Sequence, residues 1–301
     1  MSLKHRAEYA AVAAATALSG SLPLAASQRA LAAVARCYFE RGGRRVGYAL
    51  TNLRIAFPEL SETRRRAIGR ESYVHSAWNV LDWLRSTHWS ESEISDRFEV
   101  SGLERLRAAL AQGRGALAVT LHTGNFELFA KVAPVWGVPV SHVGRTMSNR
   151  RLYERVLHER TRTGAEVIDR RSAAPAILRA LRRGHVVVLL IDQYARRNQS
   201  VFAPLFGKRC STTAGAATLA LRTGAPVVPL YSVRVGPDRH RAHILDPIEV
   251  PASGDRRRDI ERATAAYNAA LERVIREYPE QWMWAHRRFR HSPDLDGPVY
   301  G

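Results

Sequence analysis

The sequence is poor in cysteine and in acidic residues. Its 301 residues include two cysteines, Cys37 and Cys210, which lie far apart and in no Cys-x-x-Cys pair, so they predict neither a disulfide framework nor a zinc site. Asp and Glu total 28 against 46 Lys and Arg, which gives a formal net charge of +18. Such a charge favours anionic partners (nucleic acid, anionic lipid headgroups, phosphorylated substrates or an acidic carrier protein) without choosing among them.

Long, strongly apolar runs are also scarce. The first apolar stretch, residues 7–26, is built largely of alanine and is interrupted at Ser19 and Pro23, whereas a spanning helix needs about 20 strongly apolar residues. Three interpretations stay open: an interfacial or buried amphipathic helix, a full span, and a cleaved signal peptide. The basic, cysteine-poor remainder favours a cytosolic setting.

The pattern of apolar residues changes along the chain. The first 90 residues or so are predicted to be helical, with helices at 25–38 and 46–57 and a long amphipathic helix after Ser61 as its N-cap. Predicted strands then alternate with helices, which favours an α/β fold with a largely parallel, doubly covered sheet. The strands are 116–121, 138–143, 165–168, 185–191, 226–235 and 242–250, and the helices are about 102–112, 125–135, 148–163, 173–183, 213–223 and 257–277.

No repeat, low-complexity segment or linker marks a clean boundary. The predicted organisation is membrane-associating helices at 1–40, a helical region packed on the core at 41–98, an α/β domain at 99–291 and a tail at 292–301.

The stretch HTGNFE, residues 122–127, follows the first of these strands. Reactive groups in an open α/β sheet gather beyond the carboxyl ends of strands, where His122 would lie. Gly124 permits a sharp turn, and Asn125 as N-cap would place Glu127 in the first helical turn, from which it can reach back to the imidazole. A carboxylate on one ring nitrogen makes the other a better base.

A nucleophile to accompany this pair is missing from the sequence. It contains no Gly-x-Ser-x-Gly elbow, and neither cysteine is near His122 along the chain. The spacing therefore predicts direct transfer, in which His122 deprotonates a substrate hydroxyl. The spacing alone equally allows a strand-capping histidine and a glutamate that favours the helix dipole. No metal site is predicted, because His240 and His243 lack a third ligand.

Four motifs, in order, resemble those of the lipid A biosynthesis acyltransferases, the late lauroyl and myristoyl acyltransferases, which are related to the phosphatidylinositol mannoside acyltransferases. The resemblance implies a fold like that of the glycerol-phosphate acyltransferases: a mixed, mostly parallel sheet flanked by helices, with a helical N-terminal region. The motifs are NLRIAFPELS, HTGNFE, the long segment from IDQYARRNQ to GAPVVP, and YPEQWMWAHRRF.

The resemblance also assigns roles to residues. His122 and Glu127 match the catalytic dyad. The turn amides at Gly124 and Asn125 are candidate oxyanion donors, and Asp192 and Gln193, at a second strand end, are candidates to contact a sugar hydroxyl or hold an arginine. Further candidates for the substrate or oxyanion site are Arg145, Asn149 and Arg160.

Two apolar motifs allow more than one interpretation. The run at 201–207, VFAPLFG, fits an acyl-chain slot or an ordinary core plug. Trp282 and Trp284, interleaved with arginines near the C-terminus, fit nucleic-acid stacking, a lipid headgroup interface or core packing.

The function implied is transfer of a fatty acyl group from an acyl thioester, on acyl carrier protein, to an anionic glycolipid such as a lipid A precursor. No cofactor is expected beyond this co-substrate, and the expected location is the cytoplasmic face of the bacterial inner membrane. The alternatives are a phosphatidylinositol mannoside or other phospholipid acyltransferase that uses acyl-CoA and, remotely, a basic nucleic-acid-binding protein. No nucleic-acid partner is expected, because the basic residues are spread along the chain.

Overall fold

The structure is a computed structural model that describes residues 3–250 and 252–300. The helices are α1 (Leu3–Ser21), α2 (Leu24–Arg41), α3 (Arg44–Ala56), α4 (Glu62–Ser86), α5 (Glu91–Ser95), α6 (Leu103–Leu110), α7 (Phe126–Val135), α8 (Arg150–Thr161), α9 (Ala173–Arg182), α10 (Gly215–Thr223) and α11 (Arg256–Glu277). The strands are β1 (Phe98–Ser101), β2 (Ala116–Thr120), β3 (Val140–Gly144), β4 (Glu166–Asp169), β5 (Val186–Leu190), β6 (Ser200–Leu205), β7 (Lys208–Thr213), β8 (Val227–Arg234) and β9 (His240–Ile244).

The N-terminal region is helical, as predicted. The Ser61 hydroxyl accepts a hydrogen bond from the Arg64 amide and caps α4, a helix of 25 residues. Helix α2 packs along α4, and α1 packs against both α4 and α8. Within the described ranges, no helix has the length and apolar character needed to cross a membrane.

The main sheet has seven strands in the order β1-β9-β8-β2-β5-β3-β4. Every neighbouring pair is parallel except β8 with β9. The α/β class and the mostly parallel sheet are thereby confirmed, and the predicted strands and helices from residue 102 onward are present with ends shifted by at most two residues. The exception is the strand predicted at 242–250, which spans His240–Ile244 and therefore ends six residues earlier than predicted. Strand β1, the short helix α5 and the separate antiparallel hairpin of β6 and β7 were not predicted.

The sheet separates two hydrophobic cores. Because side chains alternate along a strand, β2 sends Leu117 and Val119 into the core under α10 and α11, and Ala116 and Ala118 into the core under α6 and α7. All of β2 is buried, so the residues that follow it are held firmly at the sheet edge.

Of the two interpretations of the run at 201–207, an acyl slot and a core plug, the structure supports the core plug. This run forms β6 and the turn to β7, and its Ala203, Leu205 and Phe206 are buried in the core. The core-plug interpretation is the right one, because Phe206 packs near both Trp282 and Trp284. For these two tryptophans as well, core packing is confirmed.

Candidate active site

Two polar side chains meet at the carboxyl edge of the sheet. Strands β2 and β5 are parallel neighbours, with Thr120 opposite Leu190. His122 and Asp192 each stand two residues beyond the end of their strand. The equal offset places them side by side, at the edge where open α/β sheets bind ligands.

Asp192 holds His122 through both of its oxygens. Its Oδ1 lies 2.8 Å from Nδ1 of the imidazole, and its Oδ2 accepts the His122 backbone N–H at 2.8 Å. The indole Nε1 of Trp282 also donates to Oδ2, at 2.7 Å. Asp192 is only 4% exposed and is fully engaged by these donors. It therefore orients His122, which corrects the prediction that it contacts substrate or an arginine.

Glu127 makes a different contact from the one predicted. Its carboxylate forms a bidentate pair with Arg160 of α8, with Oε1 2.5 Å from Nη2 and Oε2 3.0 Å from Nε. The expectation that Glu127 reaches back to hydrogen-bond the imidazole is thus wrong, because Nδ1 is bonded to Asp192. The charge of Glu127 still acts on His122 at longer range.

The electrostatics of the pair follow from burial and charge. Burial alone would lower the pKa of His122, but the charge and hydrogen bond of Asp192 outweigh it, so the pKa of His122 lies above its ordinary value. Burial would likewise raise the pKa of Asp192, and the imidazole and its hydrogen bonds hold that pKa well below the usual range. Asp192 is an anion at neutral pH, and it stabilises the imidazolium.

The second ring nitrogen of His122 faces the open side of the site. With the Nδ1 proton directed at the Asp192 carboxylate, Nε2 carries the lone pair that can accept a proton. The side-chain amide nitrogen of Gln193 lies 3.3 Å from Nε2, and the ring of Phe126 stands edge-to-face against the imidazole at 4.8 Å. Gln193 therefore lies beside Nε2 of His122, and its contact with substrate stays a prediction.

The turn at Gly124 is fixed on both sides. Its φ of +53° favours glycine, and a Cβ would come within 2.1 Å of the Ser232 carbonyl. Its N–H donates to the Gln281 carbonyl at 3.2 Å, and its carbonyl accepts from the Asn79 amide at 2.5 Å. Since the Gly124 N–H is already engaged, the prediction that it binds the oxyanion is wrong.

Two asparagines serve as helix caps. Asn125 caps α7 by accepting from the Leu128 amide at 3.1 Å, and its side-chain nitrogen lies 3.1 Å from the buried Asp82 carboxylate. Asn149 caps α8 and donates to the His5 carbonyl at 2.9 Å, which ties α8 to α1. Both side chains are buried and engaged, so the Asn149 side chain has a structural role in place of the predicted contact with substrate. For Asn125 the expectation concerned its backbone N–H as an oxyanion donor, and it stays a prediction.

An apolar cavity of about 300 Å³ extends from His122 between α7 and the sheet. Burial lowers the pKa of His142 in its wall to about 4, so this residue is neutral at pH 7. Glu127, Arg145 and Arg160 also line the cavity. We call this space the apolar cavity, because most of its lining is apolar; the lining includes Leu106, Phe129, Trp136, Val140, Val188 and Ile244.

Two further spaces open on His122. One, about 390 Å³, lies between α4 and α8, and we call it the helix groove; its lining includes Val80, Trp83, Met147, Val156 and Met283. Phe126, Glu127 and Arg160 line both this groove and the apolar cavity. The other, about 440 Å³, is lined by Arg145, Arg170 and Arg196 together with Gln193 and Tyr194, and we call it the arginine cleft.

Comparison with known proteins gives a consistent family. The sequence model described as bacterial lipid A biosynthesis acyltransferase matches residues 2–291. The chain belongs to this family. It is 31% identical over 254 residues to the lipid A biosynthesis lauroyltransferase of Escherichia coli, covering 83% of this chain and 81% of that protein. To the palmitoleoyltransferase of the same organism it is 28% identical over 272 residues, covering 90% and 86%.

A more distant similarity is to the phosphatidylinositol mannoside acyltransferase of Mycobacterium tuberculosis, with 31% identity over 140 residues, 44% of this chain and 43% of that protein. Family membership makes the chain an acyltransferase, and the predicted resemblance is confirmed.

Two features of the site were not predicted: the hydrogen bond from the Trp282 indole, and the contact of Asp192 with His122. The sequence offered one sign of the Asp192 contact, since Asp192 follows a buried strand in the same way as His122.

Proposed function

We propose that this acyltransferase moves a fatty acyl group from an acyl thioester, carried by acyl carrier protein, to a hydroxyl of a lipid A precursor. One observation carries the proposal: His122, oriented by a buried carboxylate, exposes Nε2 where the apolar cavity, the helix groove and the arginine cleft meet. Transfer of an acyl group from the thioester to the glycolipid needs a base at the point where the donor site and the acceptor site meet.

The chemistry needs one base and no covalent intermediate. Nε2 of His122 removes the proton of the acceptor hydroxyl, whose oxygen attacks the thioester carbonyl. The tetrahedral intermediate collapses, the C–S bond breaks, and the imidazolium returns the proton to the departing thiolate. A thiol with a pKa of about 8.5 leaves readily, so this step requires little acid assistance. The positions of the two cysteines agree with direct transfer, because neither lies beside His122: Cys210 is buried in β7 and Cys37 lies on α2.

The apolar cavity is the proposed site of the donor acyl chain. It is enclosed by aliphatic and aromatic side chains and begins at His122, so a chain inside it would hold its carbonyl at the base. Each buried methylene contributes about 0.8 kcal/mol, which is enough to bind a fatty chain without specific polar contacts. The Glu127–Arg160 pair stands at the mouth, where the fixed guanidinium is a candidate oxyanion donor.

The helix groove is the proposed approach of the glycolipid. Its lining includes two exposed apolar side chains, Val80 on α4 and Met147 in the segment before α8. Leu18 on α1, Leu22 just after it and Val34 on α2 give the N-terminal helices further exposed apolar surface. Together with the positive net charge, this surface supports peripheral association with the cytoplasmic face of the bacterial inner membrane.

The breadth of the family match favours a lipid A precursor over a phosphatidylinositol mannoside as acceptor. The two relatives named as lipid A transferases align with more than four fifths of this chain, whereas the mannoside acyltransferase aligns with less than half. The net charge of +18 also suits an acidic carrier protein as donor.

The proposal is tested by replacing the base. We expect His122→Ala to fold normally. In an assay with purified lauroyl carrier protein and a lipid A precursor, its transfer rate should fall about 10²- to 10⁴-fold, measured by mass spectrometry of the product lipid. His158→Ala, an exposed histidine on α8, is the matched control and should retain wild-type turnover. Wild-type turnover in the His122 variant would rule out this mechanism.

A further inference from the structure

The arginine cleft carries an uncompensated positive charge beside the base. Its three arginines follow the ends of three strands: Arg145 comes after β3, Arg170 after β4 and Arg196 after β5. All three are exposed. Because β3, β4 and β5 are parallel, their following segments gather at one edge of the sheet, and this edge is the one that holds His122.

These three arginines differ from the arginines whose charge is matched by a nearby carboxylate. Arg160, Arg183 and Arg209 each form an ion pair with a carboxylate, on Glu127, Glu166 and Asp294 respectively. Over residues 3–250 and 252–300, no ion pair involves a side chain of the three cleft arginines, and no acidic residue lines the cleft. The two carboxylates in the vicinity are already bonded, Asp192 to His122 and Asp169 to the Thr146 hydroxyl and the Arg171 amide.

Guanidinium groups grouped without a counter-charge repel one another and raise the local positive potential. An anion with several oxygens relieves that repulsion, and the planar fork of arginine matches phosphate oxygens in pairs. The cleft, at about 440 Å³, has room for a phosphate and the chain that carries it, and His122 is part of its lining.

We propose that the arginine cleft binds a phosphate ester belonging to one of the two reacting molecules, with Arg170 and Arg196 as its main ligands and Arg145 at the border with the apolar cavity. The inference rests on the proposed function, because the phosphate must be attached to a substrate that reaches His122. Two sources share this chemistry: the phosphopantetheine arm that carries the thioester, and a phosphate on the sugar of the acceptor.

The test is the double variant Arg170→Gln/Arg196→Gln, with Arg222→Gln/Arg273→Gln as a control that removes the same charge from two exposed positions outside the cleft. We expect the cleft variant to raise KM for the phosphate-bearing substrate about 10- to 100-fold, since each lost charge-assisted hydrogen bond weakens binding by about tenfold. Turnover at saturation should stay within about threefold, and the control should leave both KM values unchanged.

Phosphate-free substrates identify the source. If the donor carries the phosphate, an acyl N-acetylcysteamine thioester should show the same KM in the wild type and the cleft variant, while the carrier-protein donor shows the loss. If the acceptor carries it, a dephosphorylated glycolipid should abolish the difference. An unchanged KM for both substrates, or a loss that persists with both phosphate-free substrates, overturns the inference.

A binding measurement separates this inference from the proposed function. Isothermal titration of the purified wild type with 4′-phosphopantetheine and with glucosamine 1-phosphate should show binding of one probe that is lost in the cleft variant and kept in the control. Arginine-dependent binding in a protein that transfers no acyl group would contradict the proposed function only. Transfer by a protein that binds neither probe and has unchanged KM values would contradict the phosphate site only.

Discussion

The side chain of Asp192 is 2% exposed and holds the imidazole of His122, whereas the side chain of Glu127 is 30% exposed and holds the guanidinium of Arg160. Asp192 accepts three hydrogen bonds from fixed donors, two of which come from His122 itself. Glu127 forms its pair at the mouth shared by the apolar cavity and the helix groove. The two carboxylates thus lie in the same site but hold different partners, Asp192 the imidazole of His122 and Glu127 the guanidinium of Arg160.

Asp192→Asn should cause the larger loss. Two donors, the His122 backbone N–H and the Trp282 indole, point at the position of Oδ2, so the amide oxygen must turn toward them. The amide NH₂ then faces Nδ1 and forces the imidazole proton onto Nε2, which removes the base. We expect a fall in kcat of about 10²–10⁴, measured with saturating donor and acceptor.

Asp192→Ala is the informative companion variant. It leaves both tautomers of His122 accessible, so it should retain more activity than Asp192→Asn despite the lost hydrogen bonds. An Asp192→Asn variant with near-wild-type kcat would show that Asp192 is not the group that orients the base.

The pH profile measures the same pairing. The active form of His122 is neutral, so the rate should rise with pH, and because the pKa of His122 lies above its ordinary value of 6.5, the midpoint of kcat/KM should lie above 6.5. Below the midpoint the rate should fall about tenfold per pH unit. In Asp192→Ala the midpoint should move to lower pH, because the charge that raises the pKa is gone; a midpoint that does not move would argue against this pair.

Glu127→Gln should cause a smaller loss, about tenfold in kcat/KM, because it loosens Arg160 without touching Nδ1. Arg160→Lys should behave similarly, since lysine cannot form the bidentate pair. The double variant should lose less than the product of the two single losses, because both remove the same contact. Glu127→Gln should also shift the pH midpoint less than Asp192→Ala does; an equal shift would place Glu127 directly on the imidazole.

Trp282→Phe should have the smallest effect on the rate, a few-fold decrease, while lowering the free energy of unfolding by about 1.5–3 kcal/mol through loss of a hydrogen bond to a buried carboxylate. Trp284→Phe is the matched control, because its indole donates to the neutral Pro279 carbonyl at 2.7 Å. For Trp284→Phe we expect the free energy of unfolding to fall by about 0.5–1.5 kcal/mol and the rate to stay unchanged. Urea unfolding measures the first quantity and a turnover assay the second. Equal rate losses in the two variants would show that the Trp282 contact does not support Asp192.

Local pattern was sufficient for much of the fold. The alternation of strands and helices from residue 102 onward, the caps at Ser61 and Asn125 and the sharp turn at Gly124 depend on neighbouring residues, and each was predicted. The hairpin of β6 and β7 was not predicted, because its apolar run contains Pro204 and ends at Gly207, and both residue types are typical of loops. Its strands are stabilised by contacts with the distant α11, which local pattern does not contain.

That a histidine stands at the end of a buried strand, with a turn and a helix start behind it, follows from the order of apolar residues, because this order dictates where strands end. Which carboxylate pairs with that histidine depends on how the strands are arranged in the sheet. The spacing of five residues favours Glu127, yet the order of strands in the sheet places β5 beside β2 and brings Asp192, 70 residues away, within 2.8 Å of Nδ1. Pairing between strands is a long-range property, and it overrides proximity along the chain.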